Sequence, residues 1–176
     1  MRVLLFFVCL IPALSFGQGA TTGWQGYTFG SPSLSVRLPG APLPQEVNLP
    51  PHVIPHIKTY ISAYLRQESN DYVITLMHVE YSNDVPADAK GALDGTNGQW
   101  ETTGSKVAVL TTTSNKVSGK YSMQQRGKLI MGGQEHDFTD IVITEGSKLW
   151  QVIVMARANN AEMKTLMQKV VDSITF

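Results

Sequence analysis

Apolar residues recur along this chain with two periods, and their order predicts most of its elements. Leu34, Val36 and Leu38 alternate with Ser33, Ser35 and Arg37, which marks a strand with one buried face; Pro39-Gly40 ends it. Trp24 to Phe29 reads as a shorter extended segment, set apart by Gly30-Ser31-Pro32. Ile57 to Arg66 alternates again, and Tyr72 to Tyr81 follows after a short polar turn at Gln67 to Asp71, so the pair predicts a hairpin. The second of these strands is apolar on both sides, with Val73, Met77 and Val79 on one and Ile74 and Leu76 on the other. A strand of that kind wants cover on both faces, which points to layers on either side of a sheet.

Pro86 to Gly104 reads as a first helix. Ser82 or Asp84 would cap it, and Ala89, Leu93 and Trp100 fall near one face. Gly91, Gly95 and Gly98 would each cost about 1 kcal/mol there, so tertiary packing must hold the helix. Four β segments follow: Lys106 to Thr113, Val117 to Arg126, Gln134 to Thr144 and Lys148 to Arg157. Turns are expected at Gly132-Gly133 and Glu145-Gly146-Ser147. Leu149 to Met155 is again apolar on both faces, the pattern of a central strand. The period then switches. Met163, Leu166, Met167, Val170, Val171 and Ile174 mark an amphipathic helix with Asn159-Asn160 as its cap.

The fold class expected is α+β: an α/β/α sandwich with a mostly antiparallel central sheet of about six or seven strands. One helix follows the first hairpin and one closes the chain. Seven of the nine prolines lie between Pro32 and Pro55, but apolar residues are interleaved there, so the segment reads as an ordered crossing and not a linker.

The start of the chain bears on location. Arg2, the apolar run Val3 to Leu14 and the small residues Ser15 and Gly17 read as a signal peptide, 1–17. The run is too short for the ~30 Å hydrocarbon layer. The expectation is a secreted or periplasmic protein cleaved near Gly17, with no stable membrane insertion, a mobile start at 18–23 and a single domain at 24–176. Cys9, the one cysteine, lies inside the leader, so the exported domain would hold together without disulfides. Basic and acidic residues balance at 14 each and no Lys/Arg cluster stands out, so nucleic acid is not an expected partner.

Three stretches carry a resemblance. Ser35-Val36-Arg37-Leu38-Pro39-Gly40-Ala41-Pro42 is similar to the opening of small secreted bacterial proteins, Tyr72 to Met77 to their second hairpin strand, and Val170-Val171-Asp172-Ser173-Ile174-Thr175-Phe176 to their closing segment. Together they resemble the PsbP-like α/β/α sandwich superfamily over nearly the whole exported chain. The resemblance implies a non-enzymatic binding or assembly module; it places no binding residue on this sequence.

Catalytic patterns are absent from the sequence. There is no Gly-x-Ser-x-Gly elbow, and after Gly119-Lys120 and Gly127-Lys128 come Tyr121 and Leu129 where a phosphate loop needs Ser or Thr. Both Gly-Lys pairs are read as lying in strands. No catalytic residue, cofactor or metal ligand is assigned. Two alternatives remain: a hydrolase whose residues are scattered in sequence, and a His/carboxylate metal site drawn from His52, His56, His78, Glu80, His136 and Asp137. Glu135, Asp137 and Asp140 read as a solvated strand edge, with Asp137 and Asp140 on opposite faces. The best binding candidates are Tyr60, Tyr64 and Arg66, two aromatics and a cation on one strand face, which would contact an unknown protein or small ligand.

Overall fold

The computed structural model describes residues 23–67, 71–82 and 85–176. The leader read at Met1 to Gly17 and most of the mobile start lie outside the described residues, as does Asp84. Two antiparallel strands, β1 (Gln25–Phe29) and β2 (Leu34–Leu38), form a small hairpin. The main sheet contains β3 (Leu43–Pro44), β4 (Ile57–Arg66), β5 (Tyr72–Tyr81), β6 (Lys106–Val117), β7 (Lys120–Met131), β8 (Gln134–Glu145) and β9 (Lys148–Arg157). Its order is β3-β4-β5-β9-β8-β7-β6, and every pairing is antiparallel. Helix α1 (Ala89–Thr102) carries the chain from β5 to the far edge, and α2 (Ala161–Asp172) follows β9. This is the expected α+β sandwich, with seven strands in the sheet.

The two strands that are apolar on both faces, β5 and β9, pair with each other in the middle. On one face Ile74, Leu76, Trp150, Val152 and Val154 pack under Leu34, Val36 and Leu38 of β2 and Met163, Met167 and Val170 of α2. On the other, Val79, Val142 and Leu149 meet Ala89 and Leu93 of α1. Burying each large aliphatic side chain contributes about 1.5–3 kcal/mol, so each layer is held by its own apolar stripe. The Asn160 side chain caps α2 by accepting from Glu162 N (3.0 Å) and Met163 N (3.2 Å). Past α2, Ser35 and Thr175 exchange backbone hydrogen bonds of 2.7 and 3.0 Å, and Phe176 meets Trp150 edge-on at 4.9 Å.

Three local expectations are corrected. Helix α1 begins at Ala89 and not at Pro86, because Ala87 N–H donates to Gly146 O (2.9 Å) and ties the preceding chain to the β8–β9 turn. Asp88, in place of Ser82, holds the N-cap position. The break expected near Thr113 to Val117 does not exist: β6 runs on to Val117 and β7 continues to Met131. The turn falls at Ser118-Gly119, whose positive φ values of 48° and 85° suit a two-residue hairpin; Gly119 is thus a turn residue and not a strand residue.

Candidate ligand cavity under the first helix

Helix α1 packs on β8, β7 and β6. It leaves the β4–β5 end of the same sheet face to the segment Gln45 to Asn48, and between the two lies a cavity of about 480 Å³. Tyr60 and Ser62 of β4, Thr75 and Met77 of β5, Ile153 of β9, and Thr96 and Trp100 of α1 line it. Alternation puts Tyr60, Ser62, Tyr64 and Arg66 on this face, opposite Val79, Met77, Thr75 and Val73. Tyr60 Oη lies 3.3 Å from Met77 Sδ, and burial pushes the phenol upward from its ordinary pKa. Ser62 Oγ donates to Gln45 Oε1 at 3.3 Å and ties the rim segment to the sheet. Trp100 is held edge-on against Phe138 at 5.0 Å.

Of the three sequence candidates, Tyr60 is half-buried in the cavity wall. Tyr64 is half-buried opposite Leu43 of β3, and Arg66 is exposed at the end of β4. Sequence reasoning missed Thr96, Thr75 and Ser62, and read Trp100 only as part of one face of the first helix. Only the fold brings these small polar side chains against two aromatic rings.

Behind the wall sits a carboxylate. Asp140 has no solvent exposure. The expected solvated edge is therefore wrong for this residue: β8 lies between β9 and β7, and α1 covers its Asp140 face. Gln151 Nε2 donates to both Asp140 oxygens (2.9 and 2.8 Å) and to Thr96 Oγ1 (2.9 Å). Burial dominates over these hydrogen bonds and raises the Asp140 pKa to about 7. Gln125, opposite Asp140 in the ladder, accepts from Asn97 Nδ2 at 3.0 Å, while the buried Asn97 Oδ1 has no hydrogen-bond partner. Thr96 thus joins the cavity wall to a buried acid. Asp137 and Asp140 do face opposite sides, as expected.

The histidines do not converge. His52 and His56 are exposed around the 3-10 turn Ile54–His56, and His136 is buried on β8. His78 is buried and stacks on Trp150 at 4.9 Å. Its Nδ1 donates to Leu149 O (3.1 Å) and its Nε2 accepts from Ser31 N (3.4 Å), an assignment that makes the ring neutral. Burial lowers its pKa accordingly. Among the described residues, no group of three or more His, Cys, Asp or Glu is placed to hold a metal. No described helix is long and apolar enough to cross a membrane.

The architecture is the PsbP-like α/β/α sandwich. The solution structure of cyanobacterial PsbP (CyanoP) from Synechocystis sp. PCC 6803 matches with a TM-score of 0.61 and 13% identity, over 90% of this chain and 94% of that one. The crystal structure of LpqN, involved in cell envelope biogenesis of Mycobacterium tuberculosis, matches with a TM-score of 0.52 and 16% identity, over 86% and 90% of the two chains. No family model and no curated protein sequence matches.

Proposed function

We propose that this protein is an exported, non-catalytic binding module that seats a small uncharged ligand in the cavity between α1 and the Gln45 to Asn48 segment. The carrying observation is the lining: two aromatic rings, Tyr60 and Trp100, face Ser62, Thr75, Thr96, Gln99 and Thr103, and the charged member of the lining is Glu46 on the exposed rim. Neutral hydroxyl and amide groups orient a neutral ligand by hydrogen bonds, while the rings supply apolar contact area. Tyr64 and Arg66 extend the same face beyond the cavity and would meet a ligand larger than it. Export is supported by the leader pattern in the sequence and by the fold's occurrence in a protein of cell envelope biogenesis.

The test is amide chemical-shift mapping of the folded chain against a screen of uncharged small molecules. Shifts concentrated at Ser62, Thr75, Thr96 and Trp100, and lost in Tyr60→Ala with the fold intact, are the expected result. Shifts that avoid these positions for every compound would remove the cavity from the proposal.

A further inference from the structure

β6 is the last strand of the sheet, twelve residues long, and ten of those twelve positions are exposed. In a two-residue hairpin the residues flanking the turn, here Val117 and Lys120, exchange both hydrogen bonds. Alternation from that pair leaves the N–H and C=O groups of Lys116, Ser114 and Thr112 pointing away from β7. The Lys116 N–H already donates to Asn115 Oδ1 at 2.8 Å, so the open pairing groups are those of Thr112 and Ser114 and the Lys116 carbonyl. β6 is neither short nor broken by proline; its terminal lysines and the irregularity at Leu110 are what discourage indiscriminate pairing, and they leave Thr112 and Ser114 accessible.

The first half of the edge is apolar, from Val107 to Leu110, and its ends carry Lys106 and Lys116. The register shift between Val109 and Thr111 lets Leu110 bulge outward, where it is 64% exposed; Val109 beside it is 42% exposed. Leu110 also borders a hollow of about 290 Å³ against Met167 and Val171 of α2. Gly127 forms part of its floor; a Cβ there would sit 2.7 Å from the Phe138 ring. Lys106 and Lys116 stand exposed at the two ends of β6. Between Glu101 and Glu135 the chain carries Lys106, Lys116, Lys120, Arg126 and Lys128 and no acidic residue. Lys120 and Lys128 are matched by Glu145 and Glu135 on β8, so the uncompensated positive charge lies towards the β6 edge.

We propose that the outer edge of β6 is a docking site for an extended segment of a partner protein, one with apolar residues opposite Val109 and Leu110 and acidic residues at its ends. The added strand takes the outward backbone groups of Thr112 and Ser114 and the Lys116 carbonyl, its apolar side chains cover Val109 and Leu110, and its acidic ends meet Lys106 and Lys116. A second copy of this chain is the disfavoured occupant, because two such cationic hairpins repel one another. The proposal is independent of the cavity under α1.

The experiment uses two short synthetic peptides of alternating Thr and Val, one with Glu at both ends and one with Lys. Titrated into the protein at low salt, the Glu peptide is expected to shift the amides of residues 106–117 and to bind about tenfold more tightly than the Lys peptide, as two exposed charge pairs allow. Ser114→Pro removes an outward donor without touching the β6–β7 ladder, so it should abolish binding in a protein whose melting curve is little changed. The double variant Lys106→Glu, Lys116→Glu should reverse the peptide preference. Equal affinity for the two peptides, binding that survives Ser114→Pro, or shifts confined to other strands would overturn the proposal. So would a concentration-dependent dimer lost in Ser114→Pro, which would make a second copy the occupant.

Discussion

Replacing Asp140 by Asn isolates the cost of burying a carboxylate inside this sheet. In the folded protein the group titrates at about 7, against a model value of 3.8. Between those two values the folded state keeps a proton that the unfolded chain has released. Stability from this group is therefore complete below about pH 3.8, falls as pH rises, and is fully lost above about pH 7. A shift of roughly three units corresponds to about 4 kcal/mol. Asn keeps the shape, accepts from Gln151 through its oxygen, and has no proton to lose. Asp140→Asn should then match the parent within about 1 kcal/mol at pH 4.5 and exceed it by about 2–4 kcal/mol at pH 8.5. Urea unfolding of both proteins at pH 4.5, 6, 7 and 8.5 reads this difference directly, because all other carboxylates are common to the two chains. A difference that stays constant across the four pH values, or grows towards acid, would refute the reasoning.

Gly30 has φ +78°, and a Cβ there would lie 2.5 Å from Trp150 Nε1 and 2.8 Å from His78 Cγ; Gly30→Ala should therefore cost more than about 2 kcal/mol in thermal unfolding. His78 is held neutral by burial, so its stabilising contribution is complete above its ordinary pKa of 6.5 and declines as pH falls below it. Its imidazole resonances followed by NMR should keep the neutral form's tautomer as pH passes below 6.5, a behaviour opposite in slope to that of Asp140. Asn160→Ala removes the side-chain cap of α2 and should destabilise by about 1 kcal/mol, whereas Asn159→Gly, at a residue with φ +61°, should be neutral or slightly stabilising by chemical denaturation.

Legibility differed sharply between elements. Strands β5 and β9 and helix α2 were plain in the sequence because burial on two faces, or on one helical stripe, leaves a periodic apolar signature that few alternatives satisfy. The β6–β7 turn was not. Thr113 to Lys116 have the composition of a loop, and only pairing with β7 makes them a strand; the signal lay instead in Ser118-Gly119, a pair able to adopt two successive positive φ values. Asp140 was misplaced for a related reason. A single acid among Phe138, Ile141, Val142 and Ile143 is weak evidence of a wet edge, and Gln151 inside Leu149 to Met155 is its polar counterpart on the adjacent strand. Two polar residues in neighbouring apolar strands are a readable sign of a buried pair. The strand face that carries Tyr60 was legible from alternation, but the cavity beside it was not, since α1 and β9 complete its walls from distant parts of the sequence.

The pairing of β5 with β9 has a kinetic side. Strands β6 to β9 follow one another as a continuous meander, and β4 and β5 form a hairpin of their own, so each block folds through contacts close in sequence. The β5–β9 seam alone joins the two blocks within the sheet, and it closes a loop that includes all of α1 and the meander. The cavity straddles this seam, with Tyr60 and Thr75 on one side and Ile153 on the other. A ligand seated there as proposed would act as a rivet across the join. Its binding free energy is added to the step that zips the two blocks together, and it should slow unfolding of the whole sheet more than it speeds the folding of either block.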